Sequence, residues 1–130
     1  MIDVEIDVFD FVYPHVAPLV PDACFRSVYV PAAPALPFAT LYEVDNATAQ
    51  RRMTSSDEEE AATVTYEASV YAEEKYQCRD IMNAIDNAMR QLNFRRTMTQ
   101  YVPNLADSTL FRLTARYVAV ADSNKVIYRT

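Results

Sequence analysis

The chain has no glycine at any of its 130 positions. Several sites depend on glycine for a tight turn or for close approach of the backbone to a ligand. They include the P-loop, the dinucleotide-binding fingerprint, the nucleophile elbow and the EF-hand loop. None of these can be built here, and turns must use Asn, Asp, Ser and Pro instead. The missing glycine therefore excludes several large enzyme classes before any fold is assigned.

The composition predicts one globular domain over residues 1–130. Half of the residues are hydrophobic (51%) and 23% are charged, which is the range of a folded domain with a real core. The formal net charge of -6 argues against a protein that coats nucleic acid. Ten of the twelve basic residues are arginine, whose planar, multidentate guanidinium suits fixed contacts between proteins.

The start of the chain and its cysteines indicate a reducing compartment. A secretory signal begins with a basic region, but this chain has the acids Asp3, Glu5 and Asp7 there. We therefore expect no secretory signal. No apolar run approaches the ~20 residues that a membrane span needs. Cys24 and Cys78 fit no zinc or CxxC spacing and predict two reduced, partly buried thiols, with a disulfide between them left open.

Residues 2–20 fit two patterns. Hydrophobic residues alternate with acids over residues 2–8, as in a strand. Val4, Val8 and Val12 also lie on one helical face, and acids in the first turn suit a helix N-terminus. Prolines from Pro14 onward limit any helix. The residues alone leave both alternatives open.

Short strands and a polar loop are predicted for the next third of the chain. The expected elements are a strand over 24–31, a proline-rich connector over 31–37, a strand over 38–45 with a turn at Asp45-Asn46, and a mobile loop over 46–60. The loop carries Arg51 and Arg52, followed by Asp57, Glu58 and Glu59. It is either solvated or ordered against a neighbouring subunit of opposite charge.

The second half gives clearer patterns. Residues 61–72 alternate as a long strand, with Val64, Tyr66, Ala68 and Val70 on one face. Residues 73–92 predict a helix with a single apolar stripe, and Asn93 replaces the usual glycine at its C-terminal cap. The remaining predicted elements are strands over 94–102 and 109–121, a turn over 122–125 and a short strand over 126–128.

No residue pattern proposes a reaction. His15 is the only histidine and has no paired acid or cysteine nearby in sequence. The acids of residues 57–60 lack the ligand spacing of a calcium site. We therefore predict no catalytic residue, no metal and no cofactor.

Four arginines form the main candidate for a functional surface. Arg95 and Arg96 begin one strand, whereas Arg112 and Arg116 share a face of a later strand. If these strands pair, the four form a stripe across the sheet. Its partners are acids of the same subunit, acids of another subunit, or nucleic acid. The nine tyrosines also suit an interface.

From about residue 38 onward, the order of elements resembles the tail terminator proteins of long-tailed bacteriophages, also called tail-to-head joining or tail completion proteins. The residues that carry the resemblance are Phe94-Arg95-Arg96-Thr97 after the helix, the Pro103-Asn104-Leu105 turn, and Arg112 with Arg116-Tyr117 on the next strand. The resemblance implies an α+β fold: a mainly antiparallel sheet with a long hairpin-like pair, helices on one face and an N-terminal helix. It therefore favours a helix over residues 3–17.

The resemblance also implies a function. Such proteins form hexameric rings that cap the tail tube, end its polymerisation and join the tail to the head connector or stopper protein. DNA passes through the channel without specific binding. The protein is expected in the virion at the head–tail junction, after synthesis in the host cytoplasm, with no catalytic residue to transfer.

Three alternatives stay open. Another neck component, such as a head-completion or stopper protein, belongs to the same class. A small enzyme of ferredoxin-like architecture and a nucleic-acid-binding adaptor belong to others. A pocket with a polar cluster would favour the enzyme, and salt-dependent affinity for DNA would favour the adaptor.

Overall fold

The computed structural model describes residues 1–30, 34–49, 61–103 and 110–130. Its elements are α1 (Glu5–Val16), β1 (Phe25–Arg26), β2 (Phe38–Thr48), β3 (Ala61–Ala72), α2 (Lys75–Gln91), β4 (Arg95–Val102), β5 (Phe111–Asp122) and β6 (Ile127–Tyr128), with a short 3₁₀ turn at Ala17–Leu19. The α+β class is confirmed. The order of these elements differs from the β-α-β-β-α-β order of a ferredoxin-like domain, so that alternative architecture is wrong.

The six strands form one mainly antiparallel sheet. Its order is β1-β2-β3-β5-β4, and β6 pairs with the end of β5 beside β4. The β1–β2 pair is parallel and the other pairs are antiparallel. Strands β2 and β3 follow each other in the chain and pair over most of their length, as expected for the hairpin-like pair.

Both central strands follow the predicted alternation. On β3 the residues Val64, Tyr66, Ala68 and Val70 are all buried, and on β5 the residues Leu113, Ala115, Tyr117 and Ala119 are buried too. They form one cluster with apolar side chains of α1 and α2. We call this side of the sheet the covered face. Phe111 was expected to share it but is 37% exposed, because it lies at the end of the strand.

Helix α2 forms because its apolar residues recur every three or four positions. Cys78, Ile81, Met82, Ile85, Ala88 and Met89 are buried. The helix ends in a Schellman motif: the Asn93 N–H donates to Arg90 O and the Phe94 N–H donates to Met89 O, each at 3.0 Å. Asn93 has a φ of 69°, in the left-handed region. The prediction that Asn93 replaces the capping glycine is confirmed.

The N-terminal segment is a helix, as the resemblance implied. Val4, Val8, Val12 and Val16 recur every four residues from the start of α1 and are 0–1% exposed. Their burial against the sheet and α2 decides between two patterns that the residues left open. Pro14 is tolerated near the end of the helix, where its missing N–H costs one bond.

Two strand predictions were wrong in extent. The strand expected over 24–31 pairs only at Phe25 and Arg26, while Val28 and Tyr29 lie exposed beyond its end. The turn expected at Asp45-Asn46 is absent, because β2 bulges after Glu43 and continues to Thr48. The predicted loop therefore begins later, and residues 50–60 lie outside the described part of the chain. So do Asn104 and Leu105 of the predicted turn.

The opposite side of the sheet has different chemistry, and we call it the polar face. Its central strands present Glu67, Ser69, Arg112, Thr114 and Arg116. Both helices pack on the covered face, as expected. In the described part of the chain, no helix is long and apolar enough to cross a bilayer.

Candidate functional site

Five of the nine predicted interface residues cannot be placed. Arg51, Arg52, Asp57, Glu58 and Glu59 lie outside the described residues. The other four are Arg95, Arg96, Arg112 and Arg116, and their strands β4 and β5 do pair.

The predicted stripe of four arginines is wrong as a single surface. Arg95 lies opposite Val118 and Arg96 opposite Tyr117. Neighbouring residues of a strand point to opposite faces, so Arg95 joins the polar face with Arg112 and Arg116, whereas Arg96 joins the covered face. The four arginines do lie on paired strands, as predicted, but they do not all lie on one side of the sheet.

Arg96 instead contacts a buried carboxylate of α2. Asp86 is only 6% exposed, and its Oδ1 accepts from Arg96 Nη1 at 3.2 Å and from the Tyr117 hydroxyl at 3.0 Å. Its Oδ2 contacts Arg90 Nε at 3.0 Å. Burial, followed by the negative charge of Asp86 and the hydrogen bond to it, raises the pKa of Tyr117. This network joins α2 to β4 and β5.

Sequence reasoning did not give Asp86 this role. On this helix Asp80 is exposed, whereas Asp86 is buried. The sequence did contain a signal for this role, because Asp86 lies on the apolar side of α2, after Ile85 and before Ala88 and Met89. An acid there needs cationic partners, because a buried unpaired charge is costly.

A row of two aromatic rings, flanked by an arginine on each side, crosses four strands of the polar face. Arg26 lies over the Phe38 ring at 5.8 Å, and the Phe38 and Tyr71 rings are 6.4 Å apart. Arg112 lies over the Tyr71 ring at 5.4 Å. The Arg112 Nε is buried and has no hydrogen-bond partner among the described residues. The contact that the described residues give the Arg112 guanidinium on this face is therefore with an aromatic ring.

The next row along the strands consists of small hydroxyl residues. Thr40, Ser69 and Thr114 lie side by side and are only 2–4% exposed. The Ser69 and Thr114 hydroxyls are 3.2 Å apart. No described helix packs on this face, so we attribute their burial to the long side chains in the rows on either side.

A third row combines a hydrogen bond with an ion pair. Tyr42, Glu67 and Arg116 occupy adjacent positions on β2, β3 and β5. The Tyr42 hydroxyl donates to Glu67 Oε2 at 3.3 Å, and Arg116 Nε lies 3.6 Å from Glu67 Oε1. Burial first, and then the charge of Glu67, raises the pKa of Tyr42. Arg116 is therefore paired inside its own subunit, although half of its side chain is exposed.

One edge of the sheet is basic. A cavity of about 260 Å³ is lined by Arg90, Phe94, Arg95, Arg96 and Arg129, at the end of α2 and the start of β4. Arg95 Nε contacts Thr130 Oγ1 at 3.4 Å, and Arg129 donates to Arg90 O at 3.2 Å. A second cavity of about 210 Å³, lined in part by Arg79 and Arg96, lies between α2 and β4. We call Arg90, Arg95, Arg96 and Arg129 the basic edge.

The opposite edge is acidic. The Glu5 Oε2 accepts from the Glu43 N–H at 2.7 Å, and Asp3 Oδ1 accepts from the Glu5 N–H at 3.0 Å. Burial first, and then the charges of Glu5, Asp3 and Asp45, raise the pKa of Glu43, although a hydrogen bond from Asn46 opposes the shift. We call Asp3, Glu5, Glu43 and Asp45 the acidic edge. Its acids repel one another.

The remaining candidates have structural surroundings. His15 is exposed, and its Nδ1 lies 3.1 Å from Phe11 O. Cys24 and Cys78 are free and buried. Burial raises the pKa of Cys78 to about 11. Among the described residues, no group of three His, Cys, Asp or Glu side chains is placed to hold a metal ion.

No protein-family model matches the chain, and no curated protein matches its sequence.

Proposed function

We propose that this chain is a tail terminator of a long-tailed bacteriophage, a structural virion protein that forms a hexameric ring at the head–tail junction. In this function the ring caps the tail tube, ends its polymerisation and presents the surface that docks on the head connector or stopper protein. The chain acts by shape and charge and carries out no reaction.

The observation that carries the proposal is the position of α1. The pattern of residues 2–20 fits a strand as well as a helix, and only the resemblance implied a helix before the first strand. The chain has that helix at Glu5–Val16, followed by the long strand β3, the helix α2 and the paired strands β4 and β5. This order supports the family resemblance independently of the residues that suggested it.

The charge distribution supports a ring subunit. A ring interface is heterologous, so one surface of the subunit must complement a different surface of the same subunit. The basic edge and the acidic edge lie on opposite sides of one sheet and have opposite charge. The net charge of -6 also suits a channel through which DNA slides without binding.

The proposal is tested by locating the protein in virus particles. Antibodies raised against the purified chain are applied to particles of the virus that encodes it, and gold-labelled antibody is imaged by electron microscopy. We expect label at the junction between head and tail. In particles made without the gene, we expect headless tails of uncontrolled length and no label.

Two results would contradict the proposal. One is a complete virion that lacks the protein by mass spectrometry. The other is label on the head shell or at the distal tip of the tail. A label at the neck together with tails of normal length in the gene deletion would favour the alternative neck protein.

A further inference from the structure

The basic edge and the acidic edge carry opposite charges, and their charged residues lie at the two ends of the same cross-strand rows. Arg95 on β4 lies opposite Val118, which lies opposite Thr65, which lies opposite Asp45 on β2. Both charged ends of this row are exposed. One cross-strand row of the polar face therefore begins with a cation at one edge and ends with an anion at the other.

The adjacent row of the covered face repeats the pattern. Arg96 on β4 lies opposite Tyr117, which lies opposite Tyr66, which lies opposite Glu43 on β2. Both edge strands also have a bulge next to this row, after Glu43 on β2 and after Arg96 on β4. Two neighbouring rows thus carry arginine at the β4 edge and a carboxylate at the β2 edge.

These charges cannot pair with each other across one sheet. Three strand spacings separate β2 from β4, which is roughly 14 Å at about 4.8 Å per spacing. That distance is far beyond an ion pair. Arg96 contacts Asp86 of its own subunit at 3.2 Å, whereas Arg95 contacts only the neutral hydroxyl of Thr130 among the described residues. Burial first, and then the like charges of Glu5, Asp3 and Asp45, raise the pKa of Glu43, so the acidic edge is self-repelling. The two edges therefore cannot neutralise each other within one sheet.

We infer that the basic edge of one subunit binds the acidic edge of a second copy of this chain, with Arg95 against Asp45 and Arg96 against Glu43. The inference rests on the proposed function, because it names the surfaces that meet in the ring. A second copy displaced sideways by one sheet width brings these residues together. Every subunit then uses one basic and one acidic edge, and rotation between neighbours closes the ring.

The contact is made by side chains and not by continuous strand pairing. Strand β2 would lie antiparallel to the neighbour's β4, an orientation that allows pairing. However, the Glu43 N–H already donates to Glu5, and Asn46 Nδ2 already donates to Ile2 O at 2.7 Å. The N-terminal segment therefore occupies part of the outer side of β2, and the exposed Asp45 is left for a side-chain contact. Association should accordingly be sensitive to salt.

The test is a reciprocal charge swap in the full chain, Arg95→Glu and Asp45→Arg. Both residues are exposed, and Arg95 donates a hydrogen bond to the exposed Thr130, so neither change disturbs the core. Each variant alone places like charges at the interface, and we expect self-association about 10- to 100-fold weaker than for the wild type. The measurement is sedimentation velocity over a concentration series.

The equimolar mixture of the two variants is the decisive sample. At one interface of the mixture, the substituted position of the Arg95→Glu variant lies against the substituted position of the Asp45→Arg variant, so the charges are opposite. At the next interface, the unchanged Arg95 of one variant lies against the unchanged Asp45 of the other. We expect wild-type-like assemblies that contain both variants in equal number. Asp80→Arg is the matched control for Asp45→Arg, since Asp80 is exposed on α2 and belongs to neither edge. It should assemble like the wild type.

Four results would overturn the inference. They are a wild type that stays monomeric up to its solubility limit, single variants that assemble normally, a mixture that fails to assemble, and a basic edge that binds duplex DNA in the absence of self-association. None of these results decides whether the protein lies at the head–tail junction, because its position in the virion is measured separately.

Discussion

The covered face and the polar face are made from the same strands, yet they differ in how they are stabilised. The covered face buries large apolar side chains such as Tyr66 and Tyr117 against two helices. The polar face holds Arg112 on aromatic rings and buries small hydroxyls such as Ser69. Stability therefore comes mainly from the covered face.

The difference follows from the alternation within each strand. A residue such as Glu67 lies between Tyr66 and Ala68, which both point to the covered face. One strand can therefore supply the core and an interaction surface at the same time. It also means that substitutions one position apart should have very different effects on folding.

The largest expected effect is on the covered face. Ile85→Ala removes a fully buried side chain between α2 and the sheet. We expect the free energy of unfolding to fall by about 2–5 kcal/mol, from lost burial and the cavity left behind. Urea denaturation measures it. The matched control Ile6→Ala changes a side chain that is 74% exposed, and an equal loss there would contradict the account.

A second prediction concerns pH. Burial raises the pKa of Cys78 from its ordinary value of 9.0 to about 11, so the folded state keeps this proton longer than the unfolded chain does. This contribution to stability is complete below pH 9 and is lost as the pH rises through 11. The full loss is on the order of 2 kcal/mol. Urea denaturation at several pH values should show a smaller decrease in Cys78→Ala than in the wild type, and equal decreases would count against it.

The network around Asp86 should give an intermediate and non-additive effect. Asp86→Ala leaves the buried Tyr117 hydroxyl without its acceptor, and we expect a loss of about 1–3 kcal/mol. Tyr117→Phe removes the same hydrogen bond from the other side. In a double-mutant cycle the two losses should not add. Simple additivity would show that Asp86 does not stabilise Tyr117.

The smallest effect is expected in the hydroxyl row of the polar face. Ser69→Ala and Thr114→Val each leave one buried hydroxyl without its partner, at a cost of about 1 kcal/mol. The double variant removes both groups and should be nearly as stable as the wild type. A double variant that loses the sum of the two costs would show that the hydroxyls have other partners.

The parts of the fold that could be predicted are those where local pattern and tertiary packing agree. The bounds of β3 match the predicted strand, and Asn93 caps α2 as expected, because in a chain without glycine few residues tolerate a positive φ. The strand expected over 24–31 failed because strand propensity needs a partner. Among the described residues of this segment, Phe25 and Arg26 are the two that pair with β2.

The candidate site was less predictable, since it depends on register. The basic residues were found from the sequence, but assigning one stripe to Arg95 and Arg96 ignored the alternation of faces. The acidic edge was missed because its members lie about 40 residues apart, on α1 and β2, and meet only when Glu5 accepts from the Glu43 N–H. No local pattern reports such a contact.

Cross-linking of neighbouring edges tests the central claim most directly. Arg95→Cys and Asp45→Cys are combined in one chain and treated with a short bis-maleimide, while the native Cys24 and Cys78 are buried and should not compete. The account predicts a ladder of covalent oligomers that ends at the closed ring, and no ladder from either single variant. A double variant that yields only monomers, or ladders of equal strength from the single variants, would contradict the pairing of the basic and acidic edges.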